Sequence, residues 1–173
     1  GFLENLKKIN MKTSLKGFNL IKEFESLHDG NLKKIGLQPK MDPSGIWTEG
    51  WGRDMRDEKG NFLKGSANRE KAERRASVSS ELEADAALAQ DVKPFELWIA
   101  RRLKKEVTQN QFDALVSHTY NTGGSSTLID LINSNAGKSK IYAWFTTRYI
   151  SSEGVKMNGL VRRRKAEADL FYS

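Results

Sequence analysis

The distribution of turn-forming residues divides this 173-residue chain more sharply than any other feature of its sequence. Half of the fourteen glycines and two of the three prolines fall between residues 28 and 65. Glycine and proline interrupt helices and favour turns and hairpins. One amphipathic pattern precedes this segment at about residues 14–27, and helical patterns fill most of the chain after residue 66. The sequence therefore predicts an α+β fold with a short β region between one helix and a larger helical remainder.

Capping signals and the hydrophobic period indicate where the later helices begin and end. Capping boxes start at Ser80 and at Thr108. Pro94 is expected to end or kink the first of these helices, and Gly123 to stop the second. Further helices are predicted at about residues 126–134, 138–148 and 159–171, and a short strand at 61–63.

The net charge indicates which classes of partner the chain favours. Its net charge is +7, which favours polyanions such as nucleic acid, anionic membranes or the acidic bacterial wall, although solubility alone is an alternative reason for it. The absence of cysteine excludes disulfides and thiolate metal sites. No run of 18 apolar residues is present, so a membrane-spanning helix is not predicted.

The first ten residues, GFLENLKKIN, precede a methionine and lack the long apolar stretch of a signal peptide. We interpret residues 1–10 either as a native extension or as a cloning remnant. Residues 11–173 are predicted to form one domain, with a β lobe at about 28–65 and a helical lobe at about 66–173 plus the helix at 14–27. A cleft between such lobes is a natural place for a site.

Glu25 stands at the end of the first predicted helix, directly after Phe24. Partial burial of a carboxyl group favours its protonated form, which suits a general acid. Most glutamates at helix ends are instead solvated charges. Glu23 competes for the same role from nearly the opposite side of the helix.

Asp42 and Thr48 lie on the predicted hairpin MDPSGIWTEGWG. Taken alone, Asp42 is typical of a turn before proline, and Thr48 is typical of a strand. Together with Glu25 they place an acid on a helix end opposite an aspartate and a hydroxyl. Glycoside hydrolysis needs such a pairing, because one carboxyl protonates the leaving oxygen and the other handles water or the cationic sugar.

Four segments stand in order along the chain: FNLIKEFESLHDG, DPSGIWTEGWG, QNQFDALVSHTYNTGG and GLVRRRKAEADLF. In this order they resemble the phage-type lysozymes, glycoside hydrolase family 24, over residues 14–173. Asp42 and Thr48 have the family's D-x5-T spacing. The resemblance implies a lysozyme-like fold in which a small N-terminal β-hairpin lobe and a larger helical lobe enclose the active-site cleft.

The resemblance also implies an activity. It is that of a muramidase, which cleaves the β-1,4 bond between N-acetylmuramic acid and N-acetylglucosamine in peptidoglycan. Glu25 then corresponds to the general acid. Asp42 corresponds to the carboxylate that positions water or stabilises the oxocarbenium-like state, and Thr48 to the hydroxyl that holds the water. We expect inversion of configuration, with the two carboxyls roughly 6.5–9.5 Å apart.

The chain departs from the family pattern around this site. The residues concerned are Ser26 in place of Gly, Trp51 and Arg53 in place of Tyr and His, and Glu49 in place of an apolar residue. The interval between Glu25 and Asp42 is also longer, with extra residues at about 30–40. This loop is expected to border the cleft and to change substrate access.

Four further residues are candidates for binding the glycan. Trp47 and Trp51 are placed to stack on sugars or to pack the hairpin. Asn121 and Thr122, at a helix end, are placed to hydrogen-bond N-acetyl groups, although a C-cap role for Asn121 is the alternative.

Neither His28 nor His118 has a partner at metal-ligand spacing, and no phosphate-binding loop is present, so we expect no metal and no cofactor. The expected partner of a monomeric enzyme is bacterial peptidoglycan. An anionic outer-membrane surface is a second expected partner, through the basic C-terminal helix. No nucleic acid is expected, since no binding motif appears. Without a signal peptide, we expect synthesis in the host cytoplasm and release to the periplasm and wall by a separate factor.

Two other functions remain open at this stage. A lytic transglycosylase on the same scaffold needs no attacking water, so Asp42 and Thr48 argue against it. A non-catalytic protein that binds the wall or polyanions would use the basic runs at residues 101–105 and 162–165. Glu25→Gln separates these classes, because it abolishes a glycosidase and hardly changes salt-dependent binding.

Overall fold

The computed structural model describes residues 11–173. The first ten residues, whose origin the sequence left open, lie outside the described part. The helices are α1 (Leu15–Phe24), α2 (Arg69–Arg75), α3 (Glu81–Asp91), α4 (Lys93–Arg102), α5 (Gln109–Thr122), α6 (Ser126–Asn133), α7 (Lys138–Thr147) and α8 (Asn158–Phe171). The strands are β1 (Lys40–Met41), β2 (Trp47–Glu49), β3 (Arg53–Asp54), β4 (Ser151–Ser152) and β5 (Val155–Lys156).

The chain divides into two compact units. The smaller unit is Glu25–Asp91, and the larger unit joins the chain up to Phe24 to Val92–Ser173. The smaller unit exceeds the segment 28–65 that was expected for the β lobe, because α2 and α3 belong with the sheet. The combination of a short sheet with many helices confirms the α+β class.

In the larger unit, α5 is the central helix. It packs against α1, α4 and α8, and α8 also packs against α7. Every residue from Phe112 to Thr119 is buried, which is typical of a helix surrounded by others. The Thr108 capping box is present, and Gly123 ends the helix with φ at 85°, so both sequence predictions are confirmed.

The face of α8 that packs in the core is partly charged. Arg163 and Arg164 both contact the Glu167 carboxylate, at 3.3 and 3.2 Å, and all three side chains are buried. Ser117 of α5 donates to the same carboxylate at 2.6 Å. No large apolar side chain of α8 is exposed. The outer-membrane activity expected of this helix stays a prediction.

The smaller unit is built on an antiparallel sheet with strand order β1-β2-β3. Trp47 is 1% exposed and packs with Met55, Leu63 and Ala72. Its indole N–H donates to the Gly65 carbonyl at 2.8 Å, so the largest side chain of the sheet is also hydrogen-bonded. The strand predicted at 61–63 is wrong, because this segment makes one isolated bridge, between Phe62 and Arg56, and no strand.

Candidate functional site

The register of the sheet brings three polar residues to one face. Lys40 pairs with Thr48, and Thr48 pairs with Asp54. The pairing extends to Asp42, whose N–H donates to the Ile46 carbonyl at 2.8 Å. Side chains alternate along a strand, so Asp42, Thr48 and Asp54 share one face. We call these three residues the polar face of the sheet.

The Asp42 carboxylate is fixed by its own turn. Its Oδ1 atom accepts from the Ser44 hydroxyl at 2.7 Å and from the N–H groups of Ser44 and Ile46, both at 2.9 Å. Burial alone would raise the pKa of Asp42, but these bonds and a backbone bond from Gly45 hold it below the usual value. Asp42 is therefore a carboxylate at neutral pH, and Oδ2 makes no hydrogen bond to any residue the structure describes.

Thr48 is held just as firmly. It is 3% exposed, and its hydroxyl donates to the Lys40 carbonyl at 2.8 Å. A hydroxyl has one proton and two lone pairs. Because the proton is committed to Lys40, Thr48 is oriented to act as a hydrogen-bond acceptor.

Glu25 lies against the turn between β2 and β3. A Cβ built on Gly52 would come 2.7 Å from Glu25 Oε2, and Gly52 has φ at +90°. This backbone conformation favours glycine, because other residues rarely adopt it, and it leaves open space beside the Glu25 carboxyl. The same turn holds the segment after α1, since His28 donates its backbone N–H to the Gly50 carbonyl at 2.9 Å.

Glu23 has a different environment. It belongs to the larger unit, where it lines a groove of about 420 Å³ with Arg162, Lys165 and Asp169 of α8. Of the two competing glutamates, Glu25 is therefore the one in the same unit as Asp42 and Thr48.

Asp54 was missed by the sequence analysis. Burial raises the pKa of Asp54, and the negative charges of Asp42 and Glu25 raise it further, although Arg56 opposes them. The charges of two other carboxyls in this unit thus act on Asp54. The register was the missing signal, because it is the pairing of Asp54 with Thr48 that places Asp54 on this face.

Trp47 requires a correction. Its ring is buried in the core of the unit, so it does not reach a sugar, and the packing role is the right one. Trp51 is partly buried, and its indole N–H donates to Asp85 at 2.8 Å.

The two residues expected at a helix end, Asn121 and Thr122, belong to the larger unit, whereas the polar face belongs to the smaller unit. Asn121 is exposed, and its side-chain oxygen accepts from Arg164. The Thr122 hydroxyl accepts from the Gly124 N–H at 3.1 Å. The positive-φ residue after α5 is Gly123, so Asn121 is not the αL C-cap.

Two departures from the family pattern tie α3 and the segment before it to the sheet. The buried Glu49 carboxylate accepts from the N–H groups of Ser77 and Val78, at 2.9 and 3.0 Å. Arg53 makes a bidentate pair with Asp91, at 2.8 and 2.9 Å. Both side chains therefore hold structure around the site.

No group of three His, Asp or Glu within residues 11–173 is arranged to hold a metal. His118 is a core residue that packs edge-on to Phe145 and Tyr149. Burial, with the charges of Arg164 and Arg163, lowers the pKa of His118 to about 3. Among the described helices, none has the length and apolarity needed to cross a bilayer.

Known proteins are similar to this chain in sequence and in fold. The endolysin of Bacillus phage B103 is 34% identical over 165 residues, which are 93% of this chain and 54% of that protein. The chain thus spans about half the length of this curated relative.

Two solved structures are similar. The endolysin from Escherichia coli O157:H7 phage FAHEc1 has a TM-score of 0.70 at 30% identity, covering 94% of each chain. The muramidase domain of SpmX from Asticaccaulis excentricus has a TM-score of 0.68 at 24% identity, covering 95% of this chain and 99% of that one. The latter supports the lysozyme-like fold alone.

The phage lysozyme family model matches residues 31–167. This match includes the polar face and most of the helical unit. The chain belongs to the phage lysozyme family.

Proposed function

We propose that this chain is an endolysin-type muramidase that hydrolyses the β-1,4 bond between N-acetylmuramic acid and N-acetylglucosamine in peptidoglycan. Glu25 is the general acid, and Asp42 and Thr48 hold the attacking water. Similar proteins carry the names endolysin and muramidase domain. The observation that carries the proposal is the shared polar face, on which Asp42 and Thr48 are each fixed with acceptor capacity remaining.

The water is held by two acceptors with different jobs. The Thr48 hydroxyl donates its hydrogen bond to the Lys40 carbonyl, so its oxygen can accept a hydrogen bond from the water and orient it. Asp42 retains Oδ2 for the other proton, and its lowered pKa keeps it ionised. A carboxylate in this position draws a proton from the water as the new bond to the sugar forms.

Glu25 donates a proton, whereas Asp42 accepts one. The leaving oxygen of a glycosidic bond needs a proton as the bond breaks. The absence of a side chain at Gly52 gives the Glu25 carboxyl room beside the turn. Asp54 adds negative charge nearby, which stabilises the positive charge that develops on the sugar ring.

The remaining assignments follow from this activity. Trp51, Asn121 and Thr122 are proposed contacts to the glycan, and the enzyme is proposed to be a monomer. The basic charge of the chain then serves to steer it to a wall polymer rich in carboxylates. We propose that it acts at the wall after release by a separate factor.

The test is clearing of purified peptidoglycan by wild type, Glu25→Gln and Glu23→Gln, with mass spectrometry of the products. We expect clearing and reducing-end muropeptides from wild type and from Glu23→Gln, and neither from Glu25→Gln. The Glu23 variant is a matched control, since it makes the same chemical change two residues away. The melting temperatures of both variants are compared with that of the wild type, so that a loss of folding is not mistaken for a loss of catalysis.

Other results would assign other functions. Anhydro products would identify a lytic transglycosylase. Activity that persists in Glu25→Gln but disappears in Glu23→Gln would reverse the choice of acid. No clearing by any variant, with salt-sensitive binding to the wall, would leave a basic binding protein.

A further inference from the structure

The loop between α1 and β1 has a fixed shape. Asp29 Oδ1 accepts from the N–H groups of Asn31 and Gln38, at 3.2 and 3.3 Å. The Leu37 N–H donates to the Ser79 carbonyl at 2.8 Å, and Gly30 donates to Gln38 at 3.0 Å. These bonds close the loop at its base.

Gly36 shows how closely this loop approaches its neighbour. Its φ is +82°, and a Cβ built on it would lie 2.8 Å from the Ser79 carbonyl oxygen. Any other residue would be strained and would push the loop away. Residues 31–36, which we call the 31–36 loop, are therefore held in one conformation.

This ordered loop exposes two aliphatic side chains. Leu32 is 86% exposed and Ile35 is 101% exposed, the two highest values among the exposed large hydrophobic residues of the described chain. Between them stand Lys33 and Lys34. Lys33 makes no ion pair with any described residue, and Lys34 pairs with Glu73 at 2.9 Å while remaining half exposed.

We propose that the 31–36 loop is a membrane-contact site, which inserts Leu32 and Ile35 into the interfacial layer of an anionic bilayer. Exposed aliphatic side chains bracketing lysines suit such a surface, because the chains enter the acyl boundary while the ammonium groups meet lipid phosphates. The net charge of +7 attracts the whole chain to the same surface.

Two other occupants fit the loop less well. Sugars are bound by aromatic faces and convergent polar groups, and residues 31–36 have no aromatic side chain. A stable protein interface buries on the order of 1,200–2,000 Å², far more than two aliphatic side chains flanked by charge. A bilayer accepts a small apolar tip of this kind.

The absence of cysteine allows a direct measurement of insertion. Ile35→Cys in the full chain is labelled with an environment-sensitive dye and mixed with vesicles of phosphatidylcholine containing phosphatidylglycerol. We expect a blue shift and a several-fold rise in dye emission, and no change with phosphatidylcholine alone. Val155→Cys is the control, because Val155 is an exposed aliphatic residue beside Lys156 on the β4–β5 hairpin.

A second variant measures affinity. In co-sedimentation with the same vesicles, Leu32→Ser/Ile35→Ser should lower the bound fraction about tenfold, whereas Val155→Ser should leave it unchanged. Clearing of lipid-free peptidoglycan by the wild type measures the proposed function without any membrane, so this proposal and the proposed function can fail separately.

Three results would overturn the proposal. One is equal dye responses at positions 35 and 155, and another is wild-type co-sedimentation of the double variant. The third is a dye shift that grows with protein concentration in the absence of vesicles, which would indicate a second copy of the chain as the occupant.

Discussion

The two faces of the three-stranded sheet use similar side chains for opposite purposes. One face carries Trp47 and Glu49, which are buried and bonded to other parts of the smaller unit. The polar face carries Asp42, Thr48 and Asp54, and the hydrogen bonds of Asp42 and Thr48 stay within the sheet and its turn. Because side chains alternate along a strand, a shift of one residue decides which face a carboxylate lies on and therefore which role it takes.

The two faces also differ in what their carboxylates contribute to stability. Glu49 accepts hydrogen bonds from Ser77 and Val78, so its charge is compensated. Asp54 is held near two other acids, and its pKa is raised by burial and by their charges. The structure therefore tolerates an unfavourable charge on the polar face, as functional sites often do.

The largest effect on stability is expected on the buried face. Trp47→Ala should lower the free energy of unfolding by about 3–5 kcal/mol, because a fully buried aromatic ring leaves a cavity. Urea denaturation measures the change. A loss below about 1 kcal/mol would show that Trp47 does not anchor this unit.

The next largest effect is expected on activity. Thr48→Val should lower kcat/KM by roughly tenfold to a hundredfold, since the water loses the hydroxyl that orients it. Thr48→Ser keeps the hydroxyl and should retain most of the activity. Equal rates for the two variants would remove Thr48 from the mechanism.

Glu49→Gln is expected to have an intermediate effect on stability alone. The amide keeps one acceptor but loses the charge, so the free energy of unfolding should fall by about 1–3 kcal/mol. The kcat/KM measured well below the melting temperature should stay close to wild type. A large fall in kcat/KM without loss of stability would place Glu49 in the mechanism.

The smallest expected effect is a gain in stability. A carboxyl with a raised folded-state pKa contributes stability when protonated, and loses it as pH rises through 3.8 and the folded pKa. Asp54→Asn should therefore raise the free energy of unfolding at neutral pH, by less than about 1 kcal/mol because solvent screens the group. The difference should vanish below pH 3.8. A destabilised variant at pH 7 would contradict this reading.

Local signals predicted the parts of the fold that local chemistry determines. The capping box at Thr108 and the stop at Gly123 are formed by neighbouring residues, and both were predicted. The β4–β5 hairpin was missed because its strands have two residues each, too few to show an alternating pattern.

The candidate site shows the same limit. Glu25, Asp42 and Thr48 could be proposed from spacing and resemblance. Asp54 needed the register of β2 and β3, a pairing that the spacing of polar residues does not reveal. The burial of Trp47 likewise depended on residues far along the chain, such as Ala72.

The most direct test of the polar face is the anomeric configuration of the first product. Proton NMR measures it on a soluble peptidoglycan fragment, in spectra recorded before mutarotation mixes the two anomers. A water held by Asp42 and Thr48 attacks the sugar from the side opposite the leaving group, so we predict the α anomer. A β anomer would mean a covalent intermediate, and would contradict the assignment of Asp42 and Thr48 as the holders of the water.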